Sequence, residues 1–399
     1  MATRFALPNR TAFGVNSTSP TQKPGLHGQN QMRSKRMLVL LGDAFGGHGG
    51  IAKFNRDFLT ACAAYPEHSE IVVFPRIVSS PTGEIPARLR WVSGCANNKI
   101  KYVASVMSHL LWDRNYGTVV CGLINLLPLA WLVSRLTQSP LVLIIHGVDA
   151  WQPTGRRFVD RLVSKVDFVV AVSDVTRQRF LTWSHLNKTT AFVLPNSIDM
   201  KRFHPMEKNQ SLLRKHGLER KRVLMTLGRV AASEKYKGFD EVLEVLPELV
   251  EEFKDLAYLI VGGGDDLERL RKKAELLGIE DRVIFTGLVP EEDKVGYYSL
   301  ADAFLMPGRG EGFGIVLLEA MACGLPTLAS ILDGSREALR DGELGVLVDP
   351  RDSEDLKRGI REILYRPKKV PAGLDYFSFA RYQERVYLIL ARIADSPYG

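Results

Sequence analysis

Cysteine is scarce in this 399-residue chain: Cys62, Cys95, Cys121 and Cys323 lie far apart and never in a Cys-x-x-Cys spacing. That excludes a disulfide framework and a cysteine-built zinc site, and it fits a reducing, cytoplasmic compartment. Long apolar runs are missing as well. The longest, residues 123–133, is about half of what a bilayer crossing requires, so no span is expected. Acidic residues are absent from positions 1–36, and so is the apolar core of a secretory signal. Rich in Ser, Thr, Asn, Gln, Pro and Gly, this stretch reads as a disordered basic tail. A targeting segment and an over-extended start codon are the alternatives. No RNP-like motif, zinc finger or interleaving of aromatic and basic residues points to nucleic acid.

What is present is a globular composition, 45% hydrophobic and 25% charged, on a chain long enough for two domains. The net charge of +8 is unevenly placed. Residues 1–36 carry six basic residues, and residues 37–205 carry 18 basic against 11 acidic, so the remainder is acidic on balance. A basic first half points to an anionic partner: membrane headgroups, a lipid-phosphate acceptor or an acidic glycan.

From Met37 onward, short apolar runs alternate with amphipathic segments, the pattern of a parallel sheet wrapped by helices. Strands are expected over 37–42, 70–74, 118–121, 141–146, 167–172 and 191–194. Helices are expected over 51–63, 99–112, 128–136 and 156–165, with Ser173 capping another over 174–181. The polar stretch 196–205 reads as a linker. The alternation then restarts, with strands over 222–227, 257–261, 283–286, 303–306, 326–330 and 345–348. Helices are expected between and after them, over 239–253, 265–277, 291–300, 313–322 and 353–365. Two doubly wound α/β units are predicted, and ligands of such sheets sit at the carboxyl ends of the strands. Phe379, Tyr382, Val386, Leu390 and Ile393 recur at helical spacing, so a last helix over 377–393 is free to pack back on the first unit.

The chemistry concentrates in residues 306–330, MPGRGEGFGIVLLEAMACGLPTLAS. A strand ends there in a turn holding Gly308, Gly310, Gly312 and Gly314, and a helix follows. Glycines leave the amides of Gly312, Phe313 and Gly314 open to a ligand, and a helix N-terminus favours an anion. Glu311 and Glu319 lie eight residues apart, at most about 12 Å along a helix axis, roughly the reach from a sugar to a ribose across a diphosphate. Each carboxylate can accept two hydroxyl hydrogen bonds. Both would repel a diphosphate, so cations must stand between them; Arg229 and Lys237, at a strand's carboxyl end, are the candidates. Taken singly, a Gly-rich turn, a helical Glu or a loop Arg is usually structural, and the case rests on the joint pattern.

Together these residues make the chain, over about 37–393, resemble the family 4 retaining glycosyltransferases of the GT-B fold. The resemblance is carried by Glu311-x7-Glu319 with AMACGLPTLAS, by Arg229 and Lys237, by LPNSID at 194–199, and by His146-Gly147 after a strand. It implies two Rossmann-like domains facing across a cleft: an acceptor-side domain over 37–205 and a nucleotide-sugar-binding domain over 206–375, with residues 376–399 returning to the first. It also implies that Arg229 and Lys237 neutralise the donor diphosphate. Glu319 would hold the ribose, and Glu311 with the amides of Gly312, Phe313, Gly314 and Ile315 would hold the sugar. His146 would reach that sugar from across the cleft. The turn GDAFGGHGGIAKF matches the family's first glycine turn, with Gly49 and Gly50 letting a helix aim its amides at phosphate. Its glycines do not give the G-x-G-x-x-G of a dinucleotide fold.

Two features depart from the family. Glu234-Lys235-Tyr236-Lys237-Gly238 offers two lysines, so Lys235 stays open beside Lys237. Asp333-Gly334-Ser335 replaces a Gly-Gly turn, with Glu337 beyond. The expected function is retaining transfer of a sugar from a UDP- or GDP-sugar to a glycan or lipid-linked acceptor in cell-envelope or exopolysaccharide synthesis, with peripheral contact to an anionic membrane. No Asp-x-Asp follows a strand, and no metal or other cofactor is expected. A GT-B nucleotide-sugar epimerase and a non-catalytic nucleotide-sugar-binding protein are the alternatives.

Overall fold

The computed structural model describes residues 35–396, and the expected basic tail over 1–36 lies almost wholly outside the described residues. Two parallel sheets organise the chain. The first contains β1 (Arg36–Leu41), β2 (Glu70–Pro75), β3 (Leu89–Trp91), β4 (Thr118–Cys121), β5 (Leu141–Ile145), β6 (Phe168–Ala171) and β7 (Ala191–Val193), in the order 3-2-1-4-5-6-7. The second contains β8 (Arg222–Leu227), β9 (Leu256–Val261), β10 (Val283–Phe285), β11 (Ala303–Met306), β12 (Thr327–Ser330) and β13 (Val346–Val348), in the order 10-9-8-11-12-13. Runs such as LVLII in β5 are apolar at every position because helices cover both faces of a parallel sheet.

The strand order reverses between β1 and β4 in the first sheet and between β8 and β11 in the second. Those are the points where a crevice opens at the carboxyl ends of the strands. The segments leaving β1 and β8 there contain Gly49 and Arg229, and the one leaving β11 contains Glu311.

On one face of the first sheet, Leu38, Leu40 and Val72 pack with the helices Lys99–Trp112, Leu127–Thr137 and Arg157–Val163. On the other, Met37, Val39 and Ile71 share a core with the helix Gly50–Ala64 and with the last helix, Phe379–Ala394. The last helix does return to the first sheet. Tyr382 meets Phe54 edge-on at 6.2 Å between ring centroids, and Tyr387 lies 4.9 Å from Tyr65. The polar stretch 196–205 is stitched to it: Ile198 bridges to Ser378, its amide donating to the Phe377 carbonyl at 2.9 Å.

Two local expectations change. β3 escaped the sequence reading because it is a three-residue edge strand with only Leu89 buried, too short to show a period. The helix bearing Glu319 runs Ile315–Ala322 and not from 313, because Gly314 sits in the left-handed region at φ 88° and breaks the helical path. Glu311 therefore lies on a loop, and only four helical steps separate Ile315 from Glu319. The eight-residue helical span that set the 12 Å estimate is absent.

Candidate active site

Two helix N-termini meet where the sheets face each other. The turn after β1 is fixed from the helix that follows it: Asn55 donates to the Asp43 carbonyl at 2.8 Å, and Arg56 donates to the carbonyls of Ala44 and Gly47 at 3.0 and 2.9 Å. Gly49 then takes φ 88° as the cap, and the helix Gly50–Ala64 begins. A β-carbon on Gly50 would stand 3.7 Å from Cδ1 of Ile315, the first residue of the Ile315–Ala322 helix. Both helices direct their positive ends toward this contact, which makes it a place for an anion.

Cations flank it. Glu234 pairs with both Lys237, at 2.8 Å, and Arg229. Burial pushes the Glu234 carboxyl up, but hydrogen bonds from Lys237 and Arg229 outweigh that and hold it below its ordinary value. Lys237 is largely enclosed, its side chain 16% exposed, whereas Arg229 is 71% exposed. Lys237 also acts electrostatically on Glu311, while Lys235 points to solvent. Glu234 is thus the residue that gathers the two cations. Its position in the EKYKG run was visible in the sequence, but its role was not.

The loop bearing Glu311 is held against the first sheet. A β-carbon on Gly312 would lie 1.9 Å from the His146 carbonyl oxygen, so no other residue permits this approach of one backbone to the other. Burial pushes the Glu311 carboxyl up to about 7; Lys237 opposes this, Asp333 and Glu234 add to it, and the Gly314 amide lowers it. Phe313 turns inward and meets Phe377 edge-on at 5.7 Å. Glu319, 3% exposed, accepts from the Tyr298 hydroxyl at 2.9 Å and lies 3.8 Å from the Lys294 ammonium.

His146 stands at the end of β5, but its ring Nε2 bonds the Gly122 carbonyl at 3.1 Å, and a carbonyl can only accept. That bond places the proton on Nε2. Burial lowers the ring's pKa, which keeps the imidazole neutral. Beside it, three residues on, is a group the sequence reading passed over. Asp149 has a buried Oδ2 without a hydrogen-bond partner among the described residues. Burial raises its pKa and His146 lowers it. The signal available in the sequence was the spacing His146-Gly147-Val148-Asp149 alone.

Across the two sheets Ile315 lies against Gly50 and the Gly312 backbone meets His146 and Gly147; Arg229 and Lys237 join through Glu234, Lys237 acts on Glu311, and Glu319 turns to Tyr298 and Lys294. Residues 209–372 match the family model described as Glycosyl transferases group 1. A "GDP-mannose-dependent alpha-(1-6)-phosphatidylinositol monomannoside mannosyltransferase" of Mycolicibacterium smegmatis is 34% identical over 283 residues, 68% of this chain and 73% of that protein. A protein of the same name from Mycobacterium tuberculosis is 29% identical over 387 residues, 91% of this chain and 98% of that protein. Among solved structures, Anabaena Alr3699/HepE in complex with UDP and glucose superposes with a TM-score of 0.69 at 18% identity, covering 90% of this chain and 99% of that one. WaaG, a glycosyltransferase involved in lipopolysaccharide biosynthesis, superposes at 0.60 and 20% identity, covering 91% and 96%. With two facing parallel sheets and mannosyltransferase relatives of this extent, the chain belongs to the glycosyl transferases group 1 family and is a hexosyltransferase of the GT-B fold.

Proposed function

We propose that the chain is a family 4 enzyme that moves a hexose from a nucleotide sugar, with retention of anomeric configuration, to a hydroxyl of a lipid-linked acceptor. Likeness to the two mannosyltransferases favours GDP-mannose as donor. The observation that carries the reading is the meeting of the Gly50 and Ile315 helix ends, with the Lys237–Glu234–Arg229 cluster set against the Glu311 loop that leads into the second of them. A diphosphate there would face two positive helix ends and two cations. Lys237 and Arg229 would take up the charge that grows on the leaving nucleotide, so no metal is invoked. Glu319 would bind the ribose, and Glu311 with the amides after it would bind the sugar. His146 and the unpartnered Asp149 oxygen would meet sugar or acceptor hydroxyls from the other side. The leaving phosphate would itself accept the acceptor's proton, leaving the protein to position and stabilise.

A membrane surface is the proposed place of action. Among the described residues no helix is long and apolar enough to cross a membrane. The outer helical layer of the first sheet nevertheless exposes Ile100 (82%), Leu111 (70%), Trp112 (90%) and Phe158 (63%). Lys99, Lys101, Arg114, Arg135, Arg157 and Arg161 lie on the same layer, and none pairs with a carboxylate among the described residues. Apolar side chains with unpaired cations around them suit an anionic bilayer. The test of the whole reading is transfer from GDP-mannose, UDP-glucose and ADP-glucose to a membrane lipid extract, with and without EDTA, followed by NMR of the product anomer. Donor consumption without acceptor would favour an epimerase, and binding without turnover would favour a nucleotide-sugar-binding protein.

A further inference from the structure

The turn from Leu332 to Glu337 touches both halves of the molecule, and the reading above gives it no task. Asp333 is fully buried. Its Oδ2 accepts the Glu311 amide at 2.8 Å, while Oδ1 accepts the Ser335 amide at 3.1 Å and the Ser335 hydroxyl at 2.5 Å. The next amide, of Gly334, donates to the Glu311 carbonyl at 2.9 Å. Glu311 is thus gripped at both its backbone N–H and its C=O. A β-carbon on Gly334 would lie 2.0 Å from the Gly312 carbonyl oxygen, so glycine is the only residue that lets the turn close on the loop.

The same turn grips the first sheet. Glu337 spans the N-terminus of the Asp174–Ser184 helix, accepting the Asp174 amide on Oε2 at 2.7 Å and the Val175 amide on Oε1 at 2.8 Å. These are two of the amides a helix leaves unpaired in its first turn, and a carboxylate there also answers the helix dipole. Arg179, one turn further along that helix, donates to the Leu332 carbonyl at 2.7 Å and lies over the Trp151 ring at 3.9 Å. Ser173, the cap of the helix, accepts the Thr176 amide at 3.1 Å and donates to the Gly312 carbonyl at 2.7 Å. The Glu337, Arg179–Leu332 and Ser173–Gly312 hydrogen bonds all join the Asp174–Ser184 helix of the first sheet to the Glu311 loop or to the turn that holds it.

We propose that Asp333 and Glu337 are positioning residues, forming a bracket that places Glu311 only while the two halves are closed. Asp333 sets the Glu311 backbone, and Glu337 fastens that assembly to the Asp174–Ser184 helix. Closure and the shape of the sugar end of the site are then one event. A variant that loosens the Glu337 grip lowers the closed fraction, and a ligand that binds the closed form pays for this in apparent affinity. Chemistry in the filled, closed enzyme is untouched.

Glu337→Gln presents an N–H to one of the two amides, so one bond and the negative charge are lost at constant size and the grip is weakened. Arg179→Met breaks the bracket independently while keeping an aliphatic stem on Trp151. Each variant is expected to raise the KM for GDP-mannose about 10- to 30-fold and to leave kcat within about 3-fold. Small-angle scattering should show a larger radius of gyration than wild type without ligand and convergence on wild type with saturating GDP-mannose. A fall in Tm with unchanged KM and unchanged scattering would mean ordinary packing and overturn the proposal. So would a loss of kcat at constant KM. The kinetic arm rests on the donor reading above, whereas the ligand-free scattering arm does not. Wild type inert toward all nucleotide sugars but expanding on Glu337→Gln would therefore sink the donor assignment and leave the bracket standing.

Discussion

Glu311→Gln is expected to stabilise the ligand-free protein above neutral pH while impairing transfer. Burial raises the Glu311 carboxyl from its ordinary 4.5 to about 7, Lys237 countering only part of this. Between those values the unfolded chain gives up the proton while the folded chain retains it. Stability from this group is therefore fully present below about 4.5 and is lost as pH rises through about 7. At about 1.4 kcal/mol per pKa unit the full shift is worth about 3 kcal/mol. Glu311 keeps part of its surface in water, which reduces the figure to about 2 kcal/mol. Glutamine carries no such cost. Urea unfolding of wild type and variant, without ligand, at pH 5 and pH 8 measures it. The variant should gain about 2 kcal/mol on wild type between the two pH values. Glu337 and Asp149 are also raised by burial, but they titrate in both proteins and cancel in this double difference, whereas the repulsion between Asp333 and Glu311 is part of what the glutamine removes. Transfer by the variant should fall roughly 10²-fold. A stability difference that is the same at both pH values would refute the buried-carboxylate argument, and unchanged transfer would refute the assignment of Glu311 to the donor.

Lys237→Ala should reduce kcat/KM by about 10³ and Arg229→Ala by about 10², because the enclosed cation acts through less water than the exposed one; near wild-type turnover in both would remove them from the site. Gly312→Ala forces a β-carbon onto the His146 carbonyl, so transfer should vanish while far-UV circular dichroism stays native, and an active variant would contradict the close approach. Asp149→Asn should lower kcat/KM about 10-fold or more if its buried oxygen receives a hydroxyl, which a competition assay with GDP alone would show as unchanged nucleotide affinity. Trp112→Ser with Ile100→Ser should abolish flotation with phosphatidylglycerol vesicles and spare transfer to a detergent-dispersed acceptor; undiminished flotation would discard this face as the membrane surface.

The sequence by itself determined the two wound sheets, because parallel strands buried on both faces must be continuous apolar runs, and those are readable without a structure. It also determined that the last helix is covered, because its apolar stripe at Phe379, Tyr382, Val386, Leu390 and Ile393 cannot stay in water, and left it free to return to the first sheet, as it does. The joint pattern of Glu311, Glu319, Arg229 and Lys237 was legible because it is local and chemically uneven. Only the tertiary structure decided what lies between residues far apart in the chain. The meeting of Gly50 with Ile315 and the fit of Gly312 on His146 depend on how one sheet faces the other, which no period encodes. That Lys237 turns inward to Glu234 while Lys235 faces solvent depends on a single step of a tight turn. Asp149 went unremarked in the sequence and Glu337 had no role there, since burial is a property of what packs above a residue and not of its neighbours in sequence. Local composition wrote the elements and the polar groups at their ends; long-range packing chose which of those groups left water, and so which of them can act.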